Sequence, residues 1–174
     1  MITVSMSFII TKNAIEHTIY TKELAEKDAL LTHNKDQSVL TLMNLDTVIE
    51  QDFIVLNPEM LLGEMLHKGV AKSNRNIFPV TDNSNKLVGI MLLDDIRDLM
   101  FDQTLHDTTS VETFMTIPPA VIIYENDSMK TVMKKFQDSN AWNLPVIKNE
   151  GYFGFVSKSK LLTAYRRELI NFTS

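Results

Sequence analysis

The feature that most restricts this chain is a duplication: its second half repeats, element by element, what its first half contains. The first copy opens with a short apolar strand, Phe53-Ile54-Val55-Leu56, and runs into a helix carrying Met60, Leu61, Met65 and Leu66 on one face. A strand Ile77-Phe78-Pro79-Val80, a polar turn Asp82-Asn83-Ser84-Asn85 and a strand Leu87-Val88-Gly89-Ile90-Met91 follow, and a helix from near Asp94 buries Ile96, Leu99 and Met100. The second copy has the strand Val121-Ile122-Ile123 and a helix with Met129, Val132, Met133 and Phe136. It continues with Asn143-Leu144-Pro145-Val146, a turn at Asn149-Glu150-Gly151, the strand Phe153-Gly154-Phe155-Val156 and a helix with Leu161, Leu162 and Tyr165. Pro79 answers to Pro145 and Gly89 to Gly154. Two short strands align by chance often; five elements with both punctuating residues do not.

Each copy therefore reads as a β-α-β-β-α unit, a small sheet with two helices on one face. A unit of about 60 residues buries too little of its surface to be stable alone. Two copies that pack their sheets together share a core. The expected fold is α+β: two repeats in pseudo-twofold arrangement, at 37–106 and 107–174, with clefts between them and an N-terminal helix and linker over 1–36.

Composition narrows the function. Hydrophobic residues make up 44% and charged residues 22%, values of an ordinary globular protein. Net charge is −5 with scattered Lys and Arg, which offers no basic face for nucleic acid. The absence of cysteine excludes disulfides, thiolate zinc sites and cysteine nucleophiles. His17, His33, His67 and His106 lie in no metal-ligand spacing. The acid pairs Asp94/Asp95 and Glu125/Asp127 sit at helix starts, where carboxylates cap amides. Neither a Gly-rich phosphate loop nor a Gly-x-Ser-x-Gly elbow is present. The chain reads as a protein that is not an enzyme.

Residues 1 to 28 read as one helix whose apolar opening, Met1 to Ile10, gives way to Lys12, Glu16, Lys22, Glu23, Glu26 and Lys27. The opening has about half the ~20 residues needed to span a bilayer. It fits equally an amphipathic helix docked on protein and the lower part of a helix built for lipid.

The repeats resemble the CBS domain, which occurs in pairs called Bateman modules. The residues that carry the likeness are Phe78-Pro79-Val80 with Leu87-Val88-Gly89, and Leu144-Pro145-Val146 with Phe153-Gly154. Residues Ser73 to Val80 with Leu87 to Arg97 are similar to the first CBS repeat of prokaryotic CLC chloride channels, and His17 to Ala25 resembles the end of the last CLC membrane helix. That resemblance implies a regulatory tail at the cytoplasmic face of the cell membrane, partnered with the CLC membrane domain of the same chain and working as a homodimer. It also implies that Tyr20 coordinates chloride in the full-length protein; alone, one tyrosine cannot hold an anion.

CBS pairs often bind adenosine nucleotides between the repeats, through a Gly-x-x-(Thr/Ser)-x-x-Asp stretch. Here that motif is split. Gly89 is followed by Leu92 and Asp95, which keeps the ribose-binding Asp, whereas Gly154 is followed by Ser157 and Lys160, which keeps the hydroxyl. The resemblance thus implies a cleft for ATP, ADP or AMP combining Asp95 with Ile122, Ile123 and Asn143, with Ser157 on the phosphate side. Asp95 and Ser157 also stand where helix caps are expected.

Overall fold

The computed structural model describes residues 38–173; the helix expected over 1–28, and Tyr20 with it, lies outside them. Residues 38–42 are helical and belong to a first unit, Met1–Leu42, while Met43–Ser174 form a second. The duplicated fold is this second unit.

Its strands are β1 (Ile49–Glu50), β2 (Ile77–Thr81), β3 (Leu87–Leu92), β4 (Ile122–Ile123), β5 (Asn143–Lys148) and β6 (Gly151–Ser157). Its α-helices are α1 (Leu62–Lys68), α2 (Leu93–Ile96), α3 (Gln103–His106), α4 (Met129–Ser139) and α5 (Lys158–Thr173). In the first repeat β2 pairs antiparallel with β3, and Leu56 bridges Val80 in parallel. In the second, β5 pairs antiparallel with β6, and β4 runs parallel to β5 with Ile122 opposite Val146. The expected strand at Phe53–Leu56 is thus reduced to one bridge, closed by Leu56 N donating to the Pro79 carbonyl and Thr81 N donating to the Leu56 carbonyl, both at 2.9 Å. Those two bonds bypass the Pro79 nitrogen, which has no hydrogen to give.

The duplication reaches into irregular detail. Register slips between Val80 and Thr81 in one hairpin and between Val146 and Ile147 in the other. Each slip leaves a residue, Val88 or Phe153, unpaired just before the glycine. The Leu93 amide opens α2 by donating to the Asn76 carbonyl, and the Lys158 amide opens α5 by donating to the Trp142 carbonyl, at 2.9 and 2.8 Å.

Pairing also crosses between the repeats, which the sequence did not announce. β1 precedes the first repeat's own strands, yet it pairs with β6, Ile49 opposite Val156 and Glu50 opposite Phe155. Reciprocally, Thr116 from the start of the second repeat bridges Ile90 of β3, with both bonds made at 2.8 and 2.9 Å. Each repeat lends its leading segment to the other's sheet. The glycines follow from this: a Cβ on Gly154 would stand 2.5 Å from the Glu50 carbonyl oxygen, and one on Gly89 would stand 3.2 Å from that of Thr116.

Side-chain alternation sorts the core into two layers. Phe78, Val80 and Met91 face the helices and pack with Leu56, Leu62, Met65, Ile96 and Val111. Ile77 and Ile90 face the other way and meet Phe155 of the second repeat, flanked by Phe53 and Tyr152. At the rim Asn85 clamps the repeats: its carbonyl accepts from Tyr152 N at 2.8 Å and its side-chain amide donates to the Tyr152 carbonyl at 3.1 Å. The sequence expected one helix from near Asp94 through Met100. Instead α2 ends at Ile96, a 3₁₀ turn covers Leu99–Phe101, and Asp102 restarts the chain as α3 by accepting from Thr104 N at 3.0 Å. The same carboxylate accepts from the Thr104 hydroxyl, and these bonds hold its pKa below the ordinary carboxylate range. Met60 and Leu61 precede α1, whose buried residues are Leu62 and Met65.

Two substitutions test this account. Gly154→Ala is expected to cost more than Gly89→Ala, because the first added methyl meets rigid backbone and the second has Met115 Sδ, a flexible neighbour, nearest at 3.0 Å. Thermal melts should show a loss of about 1–3 kcal/mol at Gly154 and a smaller one at Gly89. In the β5–β6 turn, Asn149 and Glu150 both hold positive φ, 49° and 65°, the geometry of a tight hairpin turn that favours glycine in its second place. Glu150→Gly should therefore raise stability, by about 0.5–1 kcal/mol.

Candidate functional site

One cleft of about 550 Å³ opens between the repeats. Its first-repeat wall is Asn74 to Ile77, the run into β2, with Ile90 and Leu92 of β3, Asp94 of α2, and Phe53. Its second-repeat wall is Pro119 and Ala141 to Asn143, the run into β5. The two runs are counterparts, so the cleft lies where equivalent segments face one another. The β3–α2 side comes from the first repeat alone.

The floor is apolar, since Ile77 and Ile90 belong to the buried inter-repeat cluster. Phe53 extends it, its ring 4.8 Å from that of Phe155. Trp142 stands at the mouth, 75% exposed. Lys158 Nζ lies 5.6 Å from the Trp142 ring. The side-chain amides of Asn74, Asn76 and Asn143 offer both donors and acceptors along the wall. Arg75 bonds Glu50 Oε1 at 3.1 Å and covers the Phe53 ring at 4.9 Å. Asp94 pairs with Arg97 at the surface.

Of the residues marked out by resemblance, Asn143 lines the cleft and sits opposite Ser157 in the β5–β6 register. Asp95 is exposed on α2, and the carboxylate that lines the cleft is its neighbour Asp94, because successive helical residues point about 100° apart. Ile122 is 0% exposed in the core. The Ile123 amide is spent on Asp127 Oδ2 at 2.6 Å. Ser157 Oγ accepts from Lys160 N at 3.3 Å, a helix-start bond, and Lys160 Nζ reaches the Ile49 carbonyl at 3.4 Å. Asp127 also holds Lys135, which donates to the Val121 carbonyl at 2.8 Å and ties α4 to β4. Phe53, Arg75 and Trp142 were not singled out from sequence. The signal available for Trp142 was its polar company, Asn140 and Asn143, in a run that must end at a strand.

Among the described residues no group of three or more His, Asp or Glu side chains could hold a metal ion. Nor is any helix among them long and apolar enough to cross a membrane.

The CBS domain family matches this chain twice, at residues 45–102 and 111–167, and the chain belongs to it, as a tandem CBS pair. CBS domains are regulatory rather than catalytic modules. No curated protein matches the chain. Among solved structures, CbpB in complex with c-di-AMP is 20% identical with a TM-score of 0.62, over 80% of this chain and 95% of that one. The CBS domain of the bacterial CNNM/CorC family Mg2+ transporter is 15% identical with a TM-score of 0.63, over 75% and 79%. CBSX2 in complex with AMP is 23% identical with a TM-score of 0.54, over 70% and 93%. These likenesses show the mixed α+β fold of CBS pairs.

Beside the cleft, Tyr152 packs on the same inter-repeat cluster, and its hydroxyl is buried with no hydrogen-bond partner. Burial pushes its pKa above the ordinary 10.0. Below pH 10 folded and unfolded chains both keep the phenol neutral. Above it the unfolded chain ionises first and stability falls as pH rises. Tyr152→Phe is therefore expected to stabilise by about 1 kcal/mol and to flatten the alkaline decline, as measured by urea unfolding between pH 8 and roughly pH 11.

Proposed function

We propose that this CBS pair is a regulatory module that takes an adenine nucleotide in the cleft between its repeats and, as the cytoplasmic part of a dimeric CLC-type chloride channel or transporter, biases anion transport. The observation that carries the ligand is the cleft's composition. An apolar floor of Ile77 and Ile90, an exposed indole at the mouth and amides along the wall suit a purine ring and its polar edge. In this reading Asn143 and Asn76 read the base edge, and Asp94 takes the ribose hydroxyls in the place the family gives to Asp95. Ser157, Ile122 and Ile123 support the strands behind. The AMP and c-di-AMP named for two structural relatives are adenine compounds of this kind.

The CLC partner rests on the resemblance of residues 17–25 and 73–97, and a transporter's CBS domain among the structural relatives is in keeping with it. Exposed Leu162, Ile170 and Phe172 on α5 supply apolar surface for a second copy. A free-standing CBS sensor acting on a separate target is a second reading, favoured by the 95% coverage of the CbpB chain. Gene sequence ahead of the Met1 codon separates the two: about ten hydrophobic spans in frame are expected for the first, and an upstream stop codon would favour the second.

Trp142 is the chain's single tryptophan and lines the cleft, so its fluorescence reports occupancy directly. Titration with AMP, ADP or ATP is expected to shift its emission with a Kd tighter than ~100 μM for at least one of them. Calorimetry on Trp142→Ala should then show affinity lowered about tenfold, the worth of one base stacked on an aromatic ring. A silent indole together with no measurable heat would leave a ligand-free scaffold as the function.

A further inference from the structure

Within its lining the cleft holds no uncommitted cation, and the cause is one residue outside it; Lys158 stands at the mouth, its Nζ 5.6 Å from the Trp142 ring. Among the described residues that line it, Arg75 is the only basic side chain and Asp94 the only acidic one. Arg75 is already committed. Its guanidinium donates to Glu50 Oε1 at 3.1 Å, the two side chains being 36% and 19% exposed. It lies on the Phe53 ring at 4.9 Å, and its backbone amide donates to Ser73 Oγ at 2.9 Å. Asp94, the lining carboxylate, pairs with Arg97.

Glu50 cannot follow Arg75 if a ligand draws the guanidinium away. It is the end of β1, registered opposite Phe155, and its carbonyl oxygen is the atom that a Cβ on Gly154 would strike at 2.5 Å. A phosphate that captured Arg75 would leave a half-buried carboxylate without its partner, which is penalised far more than an exposed one. Each added phosphate would bring further negative charge to a wall whose lining charges already cancel.

We propose that Glu50 is a positioning residue that sets the charge class of the ligand: by neutralising Arg75 it makes the cleft select adenosine and its monophosphate over ADP and ATP. This rests on the nucleotide reading above and narrows it to a ligand recognised by its base and ribose. Arg75 is thus held by carboxylate and aromatic face together rather than left free in solvent.

The test is calorimetric titration of the 174-residue chain with adenosine, AMP, ADP and ATP in metal-free buffer. Adenosine and AMP should bind within about threefold of each other, and ATP at least about tenfold more weakly than AMP. In Glu50→Gln, Arg75 is released: ATP should gain about tenfold or more while adenosine stays within about threefold of its native affinity. The adenosine arm certifies that the variant's cleft is intact. Should that arm fail, Glu50→Ala, which removes the same charge without a new polar group, must move ATP in the same direction. ATP binding tightest to the native chain overturns the proposal. So does a carboxylate variant that binds adenosine normally and leaves the phosphate series unmoved. Failure of all four ligands on the native chain is a different result, which removes the nucleotide reading and this proposal with it.

Discussion

The structure depends on a backbone carbonyl passing over a glycine, twice. Glu50 crosses Gly154 and Thr116 passes Gly89 at distances that leave no room for an ordinary side chain at the first site and little at the second. Those crossings let each repeat's leading segment reach the other's last strand. Neither half-sheet is complete without its twin, so the marginal stability of a domain this small is met by exchange as well as by face-to-face burial. Ile77, Ile90 and Phe155 close the apolar surface between the sheets, and Asn85 fixes the rim. The cooperative unit is therefore the pair.

The cleft is a consequence of the same symmetry and of where it fails. Equivalent runs, Arg75 to Ile77 and Ala141 to Asn143, face each other across it. Their residues differ in kind: Asn76 corresponds to Trp142 and Ile77 to Asn143. On the β3–α2 side the first repeat supplies Leu92 and Asp94. At the matching places the second repeat has Ser157, turned to its own helix start, and Ser159, followed by Lys160, which reaches the Ile49 carbonyl. Divergence of side chains on a shared backbone plan thus leaves one open cleft while Ser157 and Lys160 on the other side are engaged in structural bonds.

Much of the fold was legible because it is written in residues with strong local meaning. Pro79 with Pro145 and Gly89 with Gly154 fixed both hairpins, and period-2 apolar runs fixed their faces. The exchange was not legible. β1 is two residues long, and its role depends on Val156 and Phe155, far along the chain. The helix expected from Asp94 to Met100 was mistaken in its continuity, since apolar spacing records which residues are buried and not where a cap such as Asp102 interrupts the hydrogen bonding. The cleft was legible only in part. Motif spacing pointed to Asp95 and to the run at Asn143. Which of two adjacent carboxylates turns toward the cleft is fixed by the residue at which α2 begins, and the Arg75–Glu50 pair joins positions that no local pattern relates.

The placement of the cleft also limits what a ligand can do. Its walls come from both repeats, so a bound molecule stabilises the assembled pair and gains nothing from either half alone. Transmission to any partner then requires that the two arrangements of the module differ in affinity, and the shift attainable is no larger than that difference. A rigid, fully closed pair would bind well and signal nothing. The polar, partly exposed contacts around the mouth, Trp142 and the Asp94–Arg97 pair, are the places where two arrangements can differ at small cost. The core of Ile77, Ile90 and Phe155 holds the halves in register beneath them.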